Sequence, residues 1–423
     1  MKQSVATTYL PVPERRTVIA PPLLRRPPAP SLFRQTGRQL LWQLASTRIA
    51  WLVLLIILLL CAVGLAAVNA CGTSLLRLQE LHLLIGLAVL LAALVPAYHR
   101  LGRYAYAFYM GSVLLLLAVR FGPSVQGSHR WFLLPAGMSF QPSELAKIGF
   151  VMAVARYLAN QRSCRTLHTL LVPFLLLLAP LGLIVLEPDL GTSLLFVPVC
   201  YAMLIAAGAR LRHLLVVLLI AAAAAPACYP LLHPYQQQRL RAMLVFGQPN
   251  SQQLHGDLYQ RWQSEVAEGS GGLRGQGLRG AWQIHHGLLP EAASDFVFAV
   301  LANQWGFFGS LAVLLLYGVF FAAGLEIAGD CSDPFGRLLV VGLSSFLILQ
   351  AVINIGMTTG LLPVVGITLP FMSYGGSAVV TDLLMAGLIL NVATHRRRAI
   401  FETRWGSSRG AGAPVPAAWR RGR

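Results

Sequence analysis

Charge is what this sequence lacks most. Only 11% of its 423 residues are Asp, Glu, Lys or Arg, and just 15 are acidic. A soluble domain carries roughly 25%. A chain so poor in charge cannot cover a water-facing surface of its own size. That excludes the two or three soluble domains its length would otherwise allow. Cysteine is scarce too: six residues, at 61, 71, 164, 200, 228 and 331, without metal or redox spacing. Most sit in apolar stretches and read as small buried hydrophobes. The first apolar run begins near residue 49 and lasts about 20 residues, too long and too late for a signal peptide.

What is present is apolar sequence, 56% of the chain. Windows long enough to cross a bilayer fall near 49–68, 81–98, 104–120, 144–160, 168–186, 191–208, 213–232, 296–323, 337–359 and 378–394. The fold class predicted is therefore all-α: a polytopic integral membrane protein of about ten transmembrane helices. The fourth window is the weakest, since it carries Glu144, Lys147 and Arg156. Only residues 233–294 form a long polar insertion. Three regions follow: a basic, Pro-rich tail (1–48), the ten-helix membrane domain (49–395) and a second basic tail (396–423).

The net charge of +18 does not indicate nucleic acid, because of where it lies. Of 33 Lys and Arg residues, eight precede residue 49 and eight follow residue 394. Such tails are solvated ends able to touch anionic lipid headgroups. Short loops set the orientation. With the amino terminus inside, cytoplasmic connections hold Arg100, Arg103, Arg162, Arg165, Arg210, Arg212 and Arg337. Both termini are then cytoplasmic, and the 233–294 loop faces outward beside 121–142, 187–190 and 360–377.

That orientation gathers four polar clusters on one face. In the first, Gly127-Ser128-His129-Arg130-Trp131 precedes Gln141-Pro142-Ser143-Glu144-Leu145-Ala146-Lys147. Pro142 and Ser143 start a helix, and Glu144 and Lys147 share one face as a local ion pair. Ionisable groups inside a span are expensive and usually face a polar cavity. The second cluster is Glu187-Pro188-Asp189-Leu190-Gly191-Thr192. A capping turn explains Asp189 as well as a ligand contact does, and the metal signal is weak.

The third cluster runs Gly269-Ser270-Gly271-Gly272-Leu273-Arg274-Gly275-Gln276-Gly277, then Leu289-Pro290-Glu291, then Ser294-Asp295-Phe296. A glycine-rich stretch with an arginine can wrap a phosphate through backbone N–H groups, but taken by itself it is more often a flexible loop. Asp295 stands where the eighth helix begins, which also suits an ordinary cap. The fourth cluster, Pro363 to Ser377, includes Ser373. It is dense in Gly and Pro and reads as a re-entrant or tightly folded loop. Together the four suit a substrate with an anionic head and a lipid tail, or a transporter vestibule.

These runs resemble the SEDS family (shape, elongation, division and sporulation). GSHRW at 127–131, QPSELAK at 141–147, PDLGTS at 188–193 and PYQQQR at 234–239 match its motifs. So do GSGGLRGQG at 269–277, LPE with SDFVFAV across 289–300, and NIGMTTGLLPVVGITLPFMSYGGS at 354–377. They occur in family order and cover roughly 45–395. The spacing from GSGGLRGQG to LPE looks more like the RodA-type elongation branch than the FtsW-type division branch.

The resemblance implies a peptidoglycan glycosyltransferase that polymerises lipid II at the outer face of the bacterial inner membrane. It also implies a class B penicillin-binding protein as transpeptidase partner. The family's essential aspartate carries over to Asp295. A carboxylate there suits the chemistry, because the attacking sugar hydroxyl loses its proton as the bond forms. Direct displacement, turning an α-linked donor into a β-linked product, needs one base and no covalent nucleophile. Arg130, Lys147 and Arg239 are candidates to stabilise the leaving pyrophosphate, with Glu144 orienting Lys147. Asp189 and Ser373 complete the substrate-binding candidates. No cofactor is assigned, and a divalent cation (Mg or Mn) is left open.

Five positions depart from the family pattern. Asn303-Gln304 replaces a usual pair of acids, Ala293 a basic residue or histidine, and Glu187 a glutamine. Asp382 adds an acid to the last span. Two rival readings are a flippase for lipid-linked precursors and a weakened scaffold for the penicillin-binding partner.

Overall fold

The computed structural model describes residues 48–122, 130–133, 139–161, 164, 166–187, 189–231, 237, 256–277 and 287–395. Arg239, the Gly127-Ser128-His129 run and the tails at 1–47 and 396–423 lie outside the described residues.

Among the described residues, ten long helices account for the ten apolar windows. They are α1 (Arg48–Cys71), α2 (Thr73–Leu94), α4 (Ala105–Val119), α5 (Pro142–Ala159) and α6 (Leu167–Leu186). The series continues with α7 (Leu190–Ala206), α8 (Leu211–Cys228), α10 (Val297–Gly329), α11 (Pro334–Thr358) and α12 (Gly376–His395). Two further α-helices stand among the described residues: α3 (Tyr98–Leu101) between α2 and α4, and α9 (Asp257–Gly271) in the long insertion. A two-residue ribbon, β1 (Phe132–Leu133) against β2 (Ser139–Phe140), precedes α5.

By length and composition α1, α2, α6, α10, α11 and α12 can each cross a membrane, while α4, α7 and α8 are shorter apolar helices. The weakest window, α5, forms a full helix with both Glu144 and Lys147 buried. Its neighbours α4, α6 and α11 cover it, so its charges face protein rather than lipid. The innermost helix is α12, with 83% of its apolar window buried, lying along α2 and against α11. Around these helices the exposed leucines, valines and phenylalanines of α1, α2, α4, α6, α8 and α10 form an apolar belt. Four of the five cysteines described are buried, as their setting indicates.

The second helix departs from its window. It begins at Thr73 rather than near 81, so Arg77, Gln79, Glu80 and His82 lie on it. Gln79 and His82 are nevertheless buried, because a loop from the far end of the chain covers them. The helix stops at Leu94, ahead of Pro96, and Asn391 of α12 then holds the turn. Its side chain donates to the carbonyls of Ala93 and Pro96 (2.7 and 2.6 Å) and accepts from the Tyr98 N–H (3.0 Å).

The eighth helix is broken. Gly306 has φ 66° and ψ −161°, so α10 is two helical segments meeting at this residue. The glycine-rich stretch after α9 supplies the hydrogen bonds lost at the break. Gln276 and Gly277 N–H groups donate to the Asn303 and Gln304 carbonyls (2.9 and 3.0 Å). In return, Phe307 and Phe308 N–H groups donate to Gly272 and Leu273 (2.9 and 3.3 Å). Backbones approach so closely that a Cβ on Gly275 would overlap the Gln304 carbonyl. This corrects the phosphate-wrapping reading of Gly269–Gly277: Gly275, Gln276 and Gly277 spend their N–H groups within the protein.

Candidate active site at the loop end of the bundle

Residues 360–375 are the centre of the loop end. They dip into the bundle and bury Val365, Ile367, Leu369, Phe371, Met372 and Ser373. Irregular backbone at such depth must find partners within the protein, and each turn of this loop does. The Asn354 side chain of α11 donates to the Ile367 carbonyl (2.6 Å), and the Tyr317 hydroxyl of α10 to that of Pro370 (2.5 Å). Gln79 donates to the Ser373 carbonyl (3.0 Å) and accepts from the Gly375 N–H. The Ser373 hydroxyl accepts from the Leu369 N–H (2.7 Å), closing the turn on itself. Ser373, a substrate-binding candidate by sequence, is thus 1% exposed and engaged in holding the loop.

Asp295 lies against this loop, half-buried. It ends a turn organised by Glu291, whose carbonyl accepts from the N–H groups of Ser294, Asp295 and Phe296 (3.2, 3.1 and 3.3 Å). Glu291 has φ 53° and Phe371 φ 65°, the two non-glycine residues with positive φ among the described residues. Both border the site, and such backbone is kept only where surroundings over-determine it. Helix α10 takes Phe296 as its N-cap residue, so the simple capping assignment for Asp295 is not what the backbone shows. Asn354 ties the two segments together, because the nitrogen that bonds Ile367 also bonds the Asp295 carbonyl (2.8 Å). Gly366 lies beside the carboxylate: with φ 70°, its added Cβ would stand 3.2 Å from Asp295 Oδ2.

A third segment enters from α7. Gly191 packs on the Val365 carbonyl, leaving no room for a side chain. Asp189 caps α7, accepting from Thr192 N (3.1 Å) and Thr192 Oγ1 (2.8 Å), and also from Gln141 Nε2 (3.2 Å) at the start of α5. Its capping role is therefore explicit, with a cross-link added. Glu187 next to it is 2% exposed, and neither carboxylate oxygen has a hydrogen-bond partner among the described residues. Burial first, then Asp189 beside it, push its acid up from 4.5 to about 8, against the pull of Arg130 and Arg120. Arg130 Nε donates to the Glu187 carbonyl (2.6 Å), which sets the guanidinium at the same rim.

Lys147 and Glu144 are together, as their spacing requires, with Nζ–Oε2 at 2.7 Å. The pair lies deeper than a rim position: Lys147 is 1% and Glu144 5% exposed. Removing one partner of such a pair costs about 3–5 kcal/mol by leaving the other charge unpaired. Asp382 of α12 is buried as well, 1% exposed. Beside the loop, a cavity of about 280 Å³ opens between α2, the start of α5 and α12. It is lined by apolar side chains with His82, Ser139 and Thr381.

Two departures from the family pattern thus have structural roles. Asn303 is buried, its carbonyl holding Gln276 and its side chain donating to Ala267 O (3.0 Å) and Ser270 Oγ (2.6 Å). Gln304 is buried too, holding Gly277. Asn354, Gln79, Tyr317 and Gly366 escaped the sequence reading. Asn354 and Gly366 sit inside a matched motif, but nothing in it separated a loop-bridging amide from an ordinary span residue.

The sequence matches the family FTSW_RODA_SPOVE, cell cycle proteins, over residues 38–398. It is 38% identical over 296 residues to the peptidoglycan glycosyltransferase MrdB of Escherichia coli strain K12, covering 70% of this chain and 79% of that one. It is 35% identical over 331 residues to a probable peptidoglycan glycosyltransferase FtsW of Geobacter metallireducens, covering 77% and 86%. A chain solved in a peptidoglycan synthase complex that coordinates polymerization and crosslinking has the same fold: TM-score 0.69, 32% identity, with 81% of this chain and 97% of that one covered.

Proposed function

Because this chain belongs to the FtsW, RodA and SpoVE family, the SEDS proteins, and is a multi-pass membrane glycosyltransferase, we propose that it polymerises lipid II into glycan strands with Asp295 as general base. One observation carries the assignment of the base. Asp295 is half-buried where the 289–296 turn, the 360–375 loop and the start of α7 converge, and the loop presents a glycine to its carboxylate. A side chain there would displace the carboxylate from the space in which an acceptor hydroxyl has to sit.

The proposed step is a single displacement. The acceptor sugar hydroxyl attacks the anomeric carbon of the donor, and Asp295 takes the hydroxyl proton as the new C–O bond forms. The bond from the anomeric carbon to the lipid pyrophosphate breaks, and configuration inverts. Arg130, seated at the rim by Glu187, stabilises the departing pyrophosphate; Arg239 is proposed with it from the sequence alone. Lys147, buried with Glu144, acts from beneath the loop. Among the described residues no three His, Cys, Asp or Glu side chains form a metal cage. Mg²⁺ is commonly held by one or two carboxylates together with substrate phosphates. A divalent cation would then join the site along with the donor. The apolar cavity between α2 and α12 suits the donor's lipid tail.

Arg48, Arg100, Arg103, Arg210, Arg212 and Arg337 lie at the helix ends away from the site. Their placement supports a cytoplasmic assignment for that end, with the site at the outer face of the inner membrane. A class B penicillin-binding transpeptidase is the proposed partner, supported by the synthase complex whose chain shares this fold. The elongation role follows the motif spacing; the similarity to FtsW keeps division as its alternative.

The test is polymerisation of labelled lipid II by purified protein, with and without the cognate transpeptidase, beside Asp295→Asn. Long glycan strands from the wild type that vanish in the variant are expected. Full activity in Asp295→Asn would remove the base. No product from a wild type with its partner bound would overturn the polymerase reading.

A further inference from the structure

Helix α9 belongs to the long insertion, and the glycosyl transfer described so far gives it no task. Its sequence presents two faces. Arg261, Ser264 and Glu265 share one at i, i+3 and i+4, and Ala267, Ser270 and Gly271 share another at the same spacing. The second face is fixed on α10. Asn303 donates to the Ala267 carbonyl and the Ser270 hydroxyl (3.0 and 2.6 Å), and a Cβ on Gly271 would overlap the Ala302 carbonyl. The first face meets the end of α11, where the 360–375 loop begins.

A helix leaves its last four carbonyls without intrahelical partners. In α11 these belong to Ile355, Gly356, Met357 and Thr358. The N–H groups of Thr359, Leu362 and Gly360 take the first three in turn (3.0, 2.8 and 3.4 Å). The fourth is met from across the packing interface: Ser264, fully buried, donates its hydroxyl to the Thr358 carbonyl (2.9 Å). Two residues on, Arg261 Nη2 donates to the Gly360 carbonyl (2.5 Å), while its Nε holds Glu265 Oε1 at 2.9 Å. A guanidinium there also suits the negative end of the α11 dipole. Gly360 has φ 72°, and a Cβ on it would overlap Glu265 Oε1, so α9 lies directly on the backbone at the first residue of the loop.

Both sides of that contact lead to Asp295. Four residues before Thr358 stands Asn354, which bonds the Asp295 and Ile367 carbonyls. Six residues after Gly360 stands Gly366, beside the Asp295 carboxylate. Helix α10, which α9 also grips, begins at Val297, two residues after Asp295.

We propose that Arg261 and Ser264 are positioning residues for the glycosyl transfer: from α9 they cap the end of α11 and fix the start of the 360–375 loop, which places Gly366 against Asp295. The catalytic half rests on the glycosyltransferase reading, and the mechanical half on the hydrogen bonds alone. Both side chains act through the loop, so their removal lowers kcat rather than substrate affinity.

The experiment compares the full-length wild type with Ser264→Ala, Arg261→Ala, Arg261→Lys and the double Ala variant. Amide hydrogen exchange over residues 359–369 reads the clamp. Initial rates of lipid II polymerisation, split into kcat and KM, read its consequence. Expected is exchange several-fold faster in each Ala variant and about tenfold faster in the double. Expected with it is a kcat about tenfold lower in the double, with KM within about twofold of the wild type. Arg261→Lys, which keeps the charge and one donor, should fall between Arg261→Ala and the wild type. Unchanged exchange in the double variant overturns the clamp. Wild-type kcat alongside faster exchange overturns the positioning role, as does a KM that rises while kcat holds, which would put Arg261 on the anionic substrate. Should the double variant not fold, Ser264→Ala decides alone, since it removes one hydroxyl. A wild type inactive on lipid II would sink the polymerase reading, and the exchange data would still decide whether α9 holds the loop.

Discussion

Gly366 lies against the carboxylate of Asp295, so that a Cβ on the glycine would stand 3.2 Å from Oδ2. With φ at 70°, the position also disfavours every residue with a side chain. Gly366→Ala is therefore expected to strain the loop and push the carboxylate aside together. A displacement near 1 Å in a catalytic group costs on the order of 100-fold. Polymerisation rates should show kcat reduced about 10- to 100-fold with the protein still folded. Wild-type kcat in Gly366→Ala would mean that the carboxylate has room to spare.

Asn354 bridges Asp295 and Ile367 from one nitrogen, at 2.8 and 2.6 Å. Asn354→Ala orphans both carbonyls, each at about 1–3 kcal/mol where buried. A lower thermal midpoint and a lower kcat are expected together, with Asn354→Gln between the wild type and Ala. Loss of stability without any loss of rate would separate the bridge from the site.

Gly306 is where α10 breaks and the 272–277 stretch repairs it. Gly306→Ala places a methyl on the backbone nitrogens of Arg274 and Gly275 and adds the strain of positive φ. The amides of Gln276 and Gly277 should exchange at least about tenfold faster than in the wild type. Protection equal to the wild type would mean that the loop docks without this seam.

Glu187 gives the stability of the loop end a pH dependence with a definite sign. Its folded acid titrates at about 8 against 4.5 ordinarily. Between those values the folded protein keeps a proton that the unfolded chain has released, so stability falls as pH rises and levels off above about 8. Glu268 of α9, pushed up to about 7 by burial, adds a slope of the same sign to wild type and variant alike. Glu187→Gln is expected to melt near the wild type at pH 5 and at least ~2 °C above it at pH 8.5. A pH-independent difference would show that the carboxyl is not the titrating group.

The ten helices were readable from hydropathy because a span must satisfy its own backbone, and only a helix does so within one segment. Lys147 and Glu144 were readable as a pair from their i, i+3 spacing. Asp189 was legible as a cap from the turn around it. The glycine-rich 269–277 stretch was not legible as a seam. Its composition suits a phosphate cradle as well as a backbone docked on a helix break. Which one it is depends on Asn303 and Gln304, some thirty residues away.

By itself, then, the sequence determined the class of this protein. Poverty of charge demands a membrane, ten apolar runs set the number of long helices, and seven motifs in order bring one aspartate, Asp295, into view. Tertiary structure decided what surrounds that aspartate. Gln79, Asn354 and Gly366 come from helices and loops far apart in the chain, and each is an unremarkable letter in its own stretch. Buried polar groups must find partners, and in a bundle those partners lie across the packing interface rather than along the chain. Their pairings exist only once the helices have packed.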